Sequence, residues 1–378
     1  MASLLWACGQ DAGTMSQKND PVMKTEKKLF VGAYTKKEGH VDGKGEGVYL
    51  LGLSYGQAAF ERLDVADGII NPSFVALSPN KRFLYAVSET GPDVDTVAYV
   101  YAYALQGDSM TLLNRQPSYS FAPCHVSVHP SGRYVFVANY VGGVIAMYPV
   151  QADGGLGAAK EVIHLEGNGP HPRQESSHPH SVCLSPNARF AYVPDLGADK
   201  VMIYRINTER GELHPEGFAR LAPQSGPRHM AFSADGRFAY VINELSNTIT
   251  AFRANLKSGQ LDSLQTISTL PEGYSGESYC GDLHLSSDGH FLYGSNRGHN
   301  SLATFAIEGE TGRLSLLGHE PTRGDFPRNF ALTPDGAYAY VANQNTGNIS
   351  IFRIKPDGLP EYVAEMKVPS PVCLVFEP

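Results

Sequence analysis

Charge is scarce in this chain of 378 residues: only 18% of the side chains carry it, and acidic groups outnumber basic ones to leave a formal net charge of −8. Nucleic-acid binding needs an extended basic surface that displaces counterions from phosphates, so no nucleic-acid partner is expected. A small anionic ligand is compatible with the same balance, because a few arginines can converge in one pocket while the remaining surface stays acidic. Long hydrophobic runs are missing too. Without 18 or more consecutive apolar residues, no membrane-spanning helix is expected. The five cysteines, Cys8, Cys124, Cys183, Cys280 and Cys373, form neither a CxxC pair nor an even set. That argues against a zinc knuckle or a disulfide framework and for free thiols.

Turn formers and aromatic residues are plentiful. With 39 Gly, 25 Pro, 20 Tyr and 17 Phe, the composition favours many short strands and tight turns over long surface helices. An all-β protein is expected, and closed all-β architectures often reach this length as single domains.

One pattern returns along the chain: "NPSFVALSPNKRFLYAVSE" from Asn71, "APCHVSVHPSGRYVFVANY" from Ala122, "HPHSVCLSPNARFAYVPDL" from His178, "GPRHMAFSADGRFAYVINE" from Gly226, "YCGDLHLSSDGHFLYGSNR" from Tyr279 and "FPRNFALTPDGAYAYVANQ" from Phe326. Each copy reads as an apolar strand, a turn and a second strand rich in Tyr, Phe and Val. The period of roughly fifty residues leaves room for two further strands, such as "GVIAMYPV" or "NISIFRI", which makes each unit a four-stranded antiparallel propeller blade. The terminal "SPVCLVFEP" matches a first strand whose continuation, "KLFVGAYT" then "GEGVYLLGL", lies near the other end. A seventh blade shared between the two ends closes the ring and leaves no open edge. The single tryptophan and the lack of a Trp-Asp dipeptide exclude the WD40 class of interaction propeller.

Residues 27–378 are therefore expected to form one seven-bladed β-propeller, preceded by a flexible tail over residues 1–26. Within that tail "LWACGQ" resembles the end of a bacterial lipoprotein signal, with Cys8 as the lipidated residue, although the charged start and apolar stretch expected before it are missing. A cytoplasmic protein is expected, with a lipid-anchored envelope protein as the alternative if Cys8 is modified. A closed ring needs no second copy, so a monomer is expected.

Positions alike in all blades serve the fold, and positions where single blades carry unusual polar groups are free to form a site. The opening of the first strand reads Ser73, Cys124, His180, Arg228, Gly281, Arg328 and Val372, followed by Phe74, His125, Ser181, His229, Asp282, Asn329 and Cys373. The end of the second strand reads Glu89, Tyr140, Leu196, Glu244, Arg297, Gln344 and Tyr34. In a propeller both columns crowd toward one mouth of the central channel, which would bring His180, Arg228, Glu244, Arg297 and Arg328 together. Arg173 and His178, in the loop that starts at Gly169, could fold over that mouth. His125, His229, Asn329 and Glu89 complete the expected substrate-binding set. A zinc site would need four fixed ligands with a preference for cysteine, which that loop does not offer, so neither metal nor cofactor is expected.

The stretches "RQESSHPHSVCLSPNARFAYVPDLGADKVMIY", "GPRHMAFSADGRFAYVINELSNTI", "YGSNRGHNSL" and "PRNFALTPDGAYAYVANQNTGNISIF" resemble the seven-bladed lactonase family typified by the bacterial propeller-type 6-phosphogluconolactonase. A fungal carboxymuconate cyclase is similar. The resemblance implies a carboxylic-ester hydrolase of glucose metabolism and the pentose phosphate pathway that opens a small-molecule sugar δ-lactone, with 6-phospho-D-glucono-1,5-lactone the leading substrate. It also implies a catalytic set of His180, Arg228, Glu244 and Arg297. Glu244 would be the general base, Arg228 and His180 the oxyanion donors, and Arg297, with Arg328 or Arg173, the phosphate clamp. The alternatives are a lactonase or cyclase on an unphosphorylated lactone or muconate-type acid, and a non-catalytic binding propeller in the envelope.

Overall fold

The repeated Ser-Pro-Asp-Gly turn explains why the hairpins form where they do. In five blades the Ser or Thr hydroxyl that opens the turn accepts the N–H five residues on, as in Ser78 to Phe83, Ser185 to Phe190, Ser233 to Phe238, Ser286 to Phe291 and Thr333 to Tyr338, all at 2.9–3.0 Å. The Asn or Asp two residues into the turn accepts a second N–H, for example Arg237 N to Asp235 at 3.0 Å. Gly236, Gly289 and Gly336 then take φ near +70°, the left-handed geometry glycine adopts without strain.

The computed structural model describes residues 27–39 and 41–378. The expected tail over residues 1–26, with Cys8, lies outside the described residues. Among the described residues there are seven four-stranded antiparallel sheets and one short two-stranded hairpin of Lys37–Glu38 with Val41–Asp42. The innermost strands are Phe74–Leu77, Phe121–Val128, Cys183–Leu184, Pro227–Phe232, Tyr279–Leu285, Pro327–Leu332 and Pro371–Phe376. The last of these pairs with Lys27–Ala33, which continues to Val48–Leu53 and Phe60–Ala66, so the two ends share one blade. No helix of the described residues is long and apolar enough to cross a membrane.

The core lies between blades, not within them. Strand side chains alternate between faces, so Leu29, Val31 and Ala33 pack against Tyr340 and Ala342 of the preceding blade, while Phe30 packs against Val75 and Leu84 of the next. Tyrosines of the second strands pin neighbours together. Tyr85, Tyr192, Tyr240 and Tyr293 donate to Gly154, Gly259, Gly312 and Gly358 carbonyls at 2.8–3.1 Å, and the Tyr340 hydroxyl accepts Gly56 N at 3.1 Å across the closure. Each such bond contributes about 1 kcal/mol net.

Candidate active site

In four blades the second strand ends on a buried Asn, as at Asn139, Asn243, Asn296 and Asn343. Asn139, Asn296 and Asn343 donate to the carbonyls of Ser118, Thr269 and Thr322, so Tyr140, Arg297 and Gln344 start from anchored backbone. In the third blade Asp195 takes this place and ties down the loop before it, accepting His178 N at 2.7 Å, Gly197 N at 3.1 Å and the Ser177 hydroxyl. Gln174, fully buried, holds the loop from the other side through Leu196 O and Asp199 Oδ1, both at 2.8 Å. The loop from Gly169 is thus a rigid support that presents Arg173 to the channel mouth.

A cavity of about 390 Å³ opens there, within the range of small-molecule sites. Its walls are Glu89, Tyr140, Arg173, His180, Glu244, Tyr279, Arg297, Phe326 and Arg328. At its centre the Glu244 carboxylate is held by three guanidinium groups: Arg173 Nη2 at 2.7 Å from Oε1, Arg297 Nη2 at 2.8 Å and Arg228 Nε at 3.0 Å from Oε2. Arg297 is itself fixed by donating to Cys280 O and lies over the Phe326 ring at 5.1 Å. Across the cavity Arg328 pairs with Glu89 at 3.3 Å, and Tyr34 donates to the same carboxylate at 3.0 Å.

The family model described as lactonase, 7-bladed beta-propeller, matches residues 28–376. The chain belongs to that family. A 6-phosphogluconolactonase of Bacillus subtilis is 34% identical over 351 residues, 92% of this chain and 97% of the relative. A 6-phosphogluconolactonase of Formosa agariphila is 34% identical over 334 residues, 86% and 92% of the two chains. Among solved structures, the periplasmic gluconolactonase of Pseudomonas aeruginosa superposes with a TM-score of 0.87 at 36% identity, covering 93% of this chain and 99% of that one.

In this lactonase propeller the expected set divides by height in the channel. His180, Glu244, Arg297, Arg328, Arg173 and Glu89 meet at the cavity. Arg228 does not stand on the wall: it is 2% exposed, lies beneath the cavity floor and reaches the site through Glu244. His125, His229 and Asn329 were expected at the same mouth and sit elsewhere. They line a second chamber of about 570 Å³ further along the inner strands, with Phe74, Asp282 and His284. Between the chambers Ser73, Cys124, Arg228, His229, Arg328 and Val372 close the channel and leave no room for a water molecule. The cause is a bulge after Pro227 and another after Pro327, which send the consecutive side chains of Arg228 and His229, and of Arg328 and Asn329, into the channel at different depths. His178 is also off the wall. Its ring stacks on Tyr140 at 4.4 Å and 9°, and its Nδ1 lies 2.8 Å from Tyr140 O, so it props the wall from behind.

Tyr140, Tyr279 and Phe326 line the cavity and were not among the expected residues. A signal was present for two of them. Tyr279 and Phe326 open their repeat copies, where Asn71, Ala122, Gly226 and Ser370 are small; the bulky His178 opens its copy too but stands behind the wall.

The charges set the chemistry. Burial alone would raise the Glu244 carboxyl, but Arg297, Arg173 and Arg228 override it and hold it well below the usual carboxylate range. Burial, then the charge of Arg228, pushes the His180 imidazole well below its ordinary value, so it is neutral. Four guanidinium groups against two carboxylates leave the site with two excess positive charges in a chain of net charge −8. Among the described residues no cluster of three or more His, Cys, Asp or Glu side chains is placed to hold a metal ion.

Proposed function

We propose that this lactonase opens a sugar δ-lactone that carries an anionic group, with 6-phospho-D-glucono-1,5-lactone the best fit. The observation that carries the reading is the excess of guanidinium charge around one small cavity in an acidic protein. The names of the Bacillus and Formosa relatives agree with it.

Glu244 takes the proton of a water as its oxygen attacks the lactone carbonyl carbon, and neutral His180 donates to the oxyanion that forms. The C–O bond to the ring oxygen then breaks, the Glu244 proton passes to that oxygen, and the product is the open hydroxy acid. Tyr140 and Tyr279 orient the sugar. Arg297 and Arg173, with Arg328, hold the phosphate through charge-assisted bonds of about 1.5–3 kcal/mol each.

In the resting site the same arginines make Glu244 a poor base. A phosphate seated on Arg173 and Arg297 draws their charge away from the carboxylate, so its basicity rises as the substrate arrives. Remote binding energy is thereby converted into rate and not only into affinity.

The test is a pH-stat assay on fresh 6-phosphogluconolactone and on unphosphorylated gluconolactone, with Glu244→Gln and Arg297→Ala beside the parent. The reading expects a higher kcat on the phosphorylated lactone, lost in both variants. Equal kcat on the two lactones removes the role of the phosphate, and no turnover of either leaves a binding propeller. A second reading, an unphosphorylated sugar lactone and an envelope location, is favoured by the periplasmic gluconolactonase among the similar structures. The phosphorylated substrate goes with the cytoplasm. In either place we propose a monomer, which sedimentation would check.

A further inference from the structure

We propose that His229 and Asp282 form a buried positioning relay that runs through the closed waist of the channel and holds Arg228, and through it the Glu244 carboxylate, from below. The catalytic consequence rests on the lactonase reading above; the relay itself does not. Arg228 donates from Nε to Glu244 Oε2 at 3.0 Å and from Nη1 to Gly281 O at 2.7 Å and to His229 Nε2 at 3.1 Å. A guanidinium can only donate, so His229 accepts at Nε2 and carries its proton on Nδ1. That nitrogen lies 2.6 Å from Asp282 Oδ1.

Asp282 is held in turn on both oxygens. Oδ1 also accepts Leu283 N at 2.9 Å, while Oδ2 accepts from Asn329 Nδ2 and lies 2.9 Å from His284 Nε2. Asn329 is fixed by accepting Leu374 N at 2.8 Å from the last strand of the ring. Donors from two successive blades, steadied by the closing strand through Asn329, therefore aim one carboxylate at one imidazole.

The electrostatics give the relay a purpose. Glu244 is shared with Arg173 and Arg297, so it cannot by itself neutralise Arg228. Burial and the charges of Arg297 and Arg328 lower the Arg228 guanidinium to about 10, while Glu244 and Asp282 act to keep it charged, one from above and one from below. Burial and Arg228 lower the His229 imidazole to about 4, which keeps it in the neutral form that can accept. Other blades serve as an internal control: at the position of His229 and Asp282 they carry Phe74, His125, Ser181, Asn329 and Cys373, so Asp282 is the one carboxylate in this column. Buried polar side chains persist in such a place only when fully bonded, and these are.

His229 and Asp282 touch no substrate in this arrangement, so their effect is on rate through geometry. The first measurement uses the full chain labelled with ¹⁵N-histidine, with His229→Gln to assign the signal. Nitrogen shifts are expected to place the His229 proton on Nδ1 as a low-field resonance that moves upfield in Asp282→Asn. This readout needs no turnover, so it is independent of whether the lactonase reading holds. The second measurement is steady-state kinetics on the preferred lactone with folding checked by thermal unfolding. Asp282→Asn and His229→Leu should lose about 10- to 100-fold in kcat with KM changed by less than about twofold, the scale of losses seen when supporting hydrogen bonds are removed behind an active group. His229→Gln, whose carboxamide oxygen still accepts from Arg228, should recover part of the rate lost in His229→Leu. A His229 proton found on Nε2 overturns the relay. Folded variants with parental kcat, or no gain of Gln over Leu, overturn its catalytic role. If His229→Leu does not fold, Asp282→Asn and the nitrogen shifts decide.

Discussion

Replacing Glu244 with Gln removes one negative charge from the centre of three guanidinium groups while keeping the shape of the side chain. Each pair, with charge centres about 4 Å apart, represents about 4 kcal/mol of gross attraction at an effective dielectric near 20. Most of that is offset by the cost of burying the charges, and removing one partner of a buried ion pair leaves a net loss of about 3–5 kcal/mol. With an unfolding entropy of roughly 2 cal/mol/K per residue over roughly 350 residues, Tm should fall by about 4–7 °C. The freed guanidinium groups should then bind inorganic phosphate more tightly than in the parent. One additional charge-assisted bond is about 1.5–3 kcal/mol, so phosphate should restore Tm in the variant at concentrations about tenfold or more below those that move the parent. On the lactone, loss of a general base should lower kcat about 10²- to 10⁴-fold. The assays are thermal unfolding across a phosphate titration and initial rates in a pH-stat. A variant with parental Tm and an unaltered phosphate response would show that Glu244 is not the hub of the charge cluster. Parental kcat would remove it as the base.

Two other outcomes are expected. The Asp282 carboxylate beside His284 outweighs burial and holds that imidazole above its ordinary value, with the side chain 40% exposed to the second chamber. The stabilisation from this pair is therefore complete below about pH 6.5 and is lost as pH rises through the raised value. The Tm difference between the parent and His284→Gln should shrink as pH rises above about 6.5, and a difference that does not change with pH counts against the pair. Tyr240→Phe and Tyr293→Phe should each cost about 1 kcal/mol, and the double variant should equal their sum within about 0.5 kcal/mol, because the two pins lie in separate blade interfaces. A double variant far from the sum would show that the interfaces are coupled.

The hairpins and the shared blade were legible because turn chemistry and two-sided hydrophobic strands are local and repeat. The columns holding His180, Glu244, Arg297 and Arg328 were legible for the same reason: in a repeat, a polar exception is conspicuous. The depth of each side chain was not. Whether Arg228 and His229 share one chamber depends on a bulge after Pro227, and no residue type there announces it. The expectation that His178 faces the substrate failed on a tertiary detail, since its ring is taken up by Tyr140. Arg173 could be suspected but not placed, because its direction depends on Asp195 and Gln174 far along the chain from the arginines it joins.

The blade built from both ends of the chain also puts the work of synthesis in an unusual order. Pro371–Phe376 is made after every other described strand, yet it is the inner wall on which Lys27–Ala33 must lie. Until that strand is made, six blades wait with an open seam, and the Asn329 that steadies Asp282 lacks the Leu374 N–H it accepts. A chain cut before Pro371 would keep six whole blades and still be unable to finish its ring. Closure of the ring in this way waits on the described strand furthest along the chain from the one it must hold.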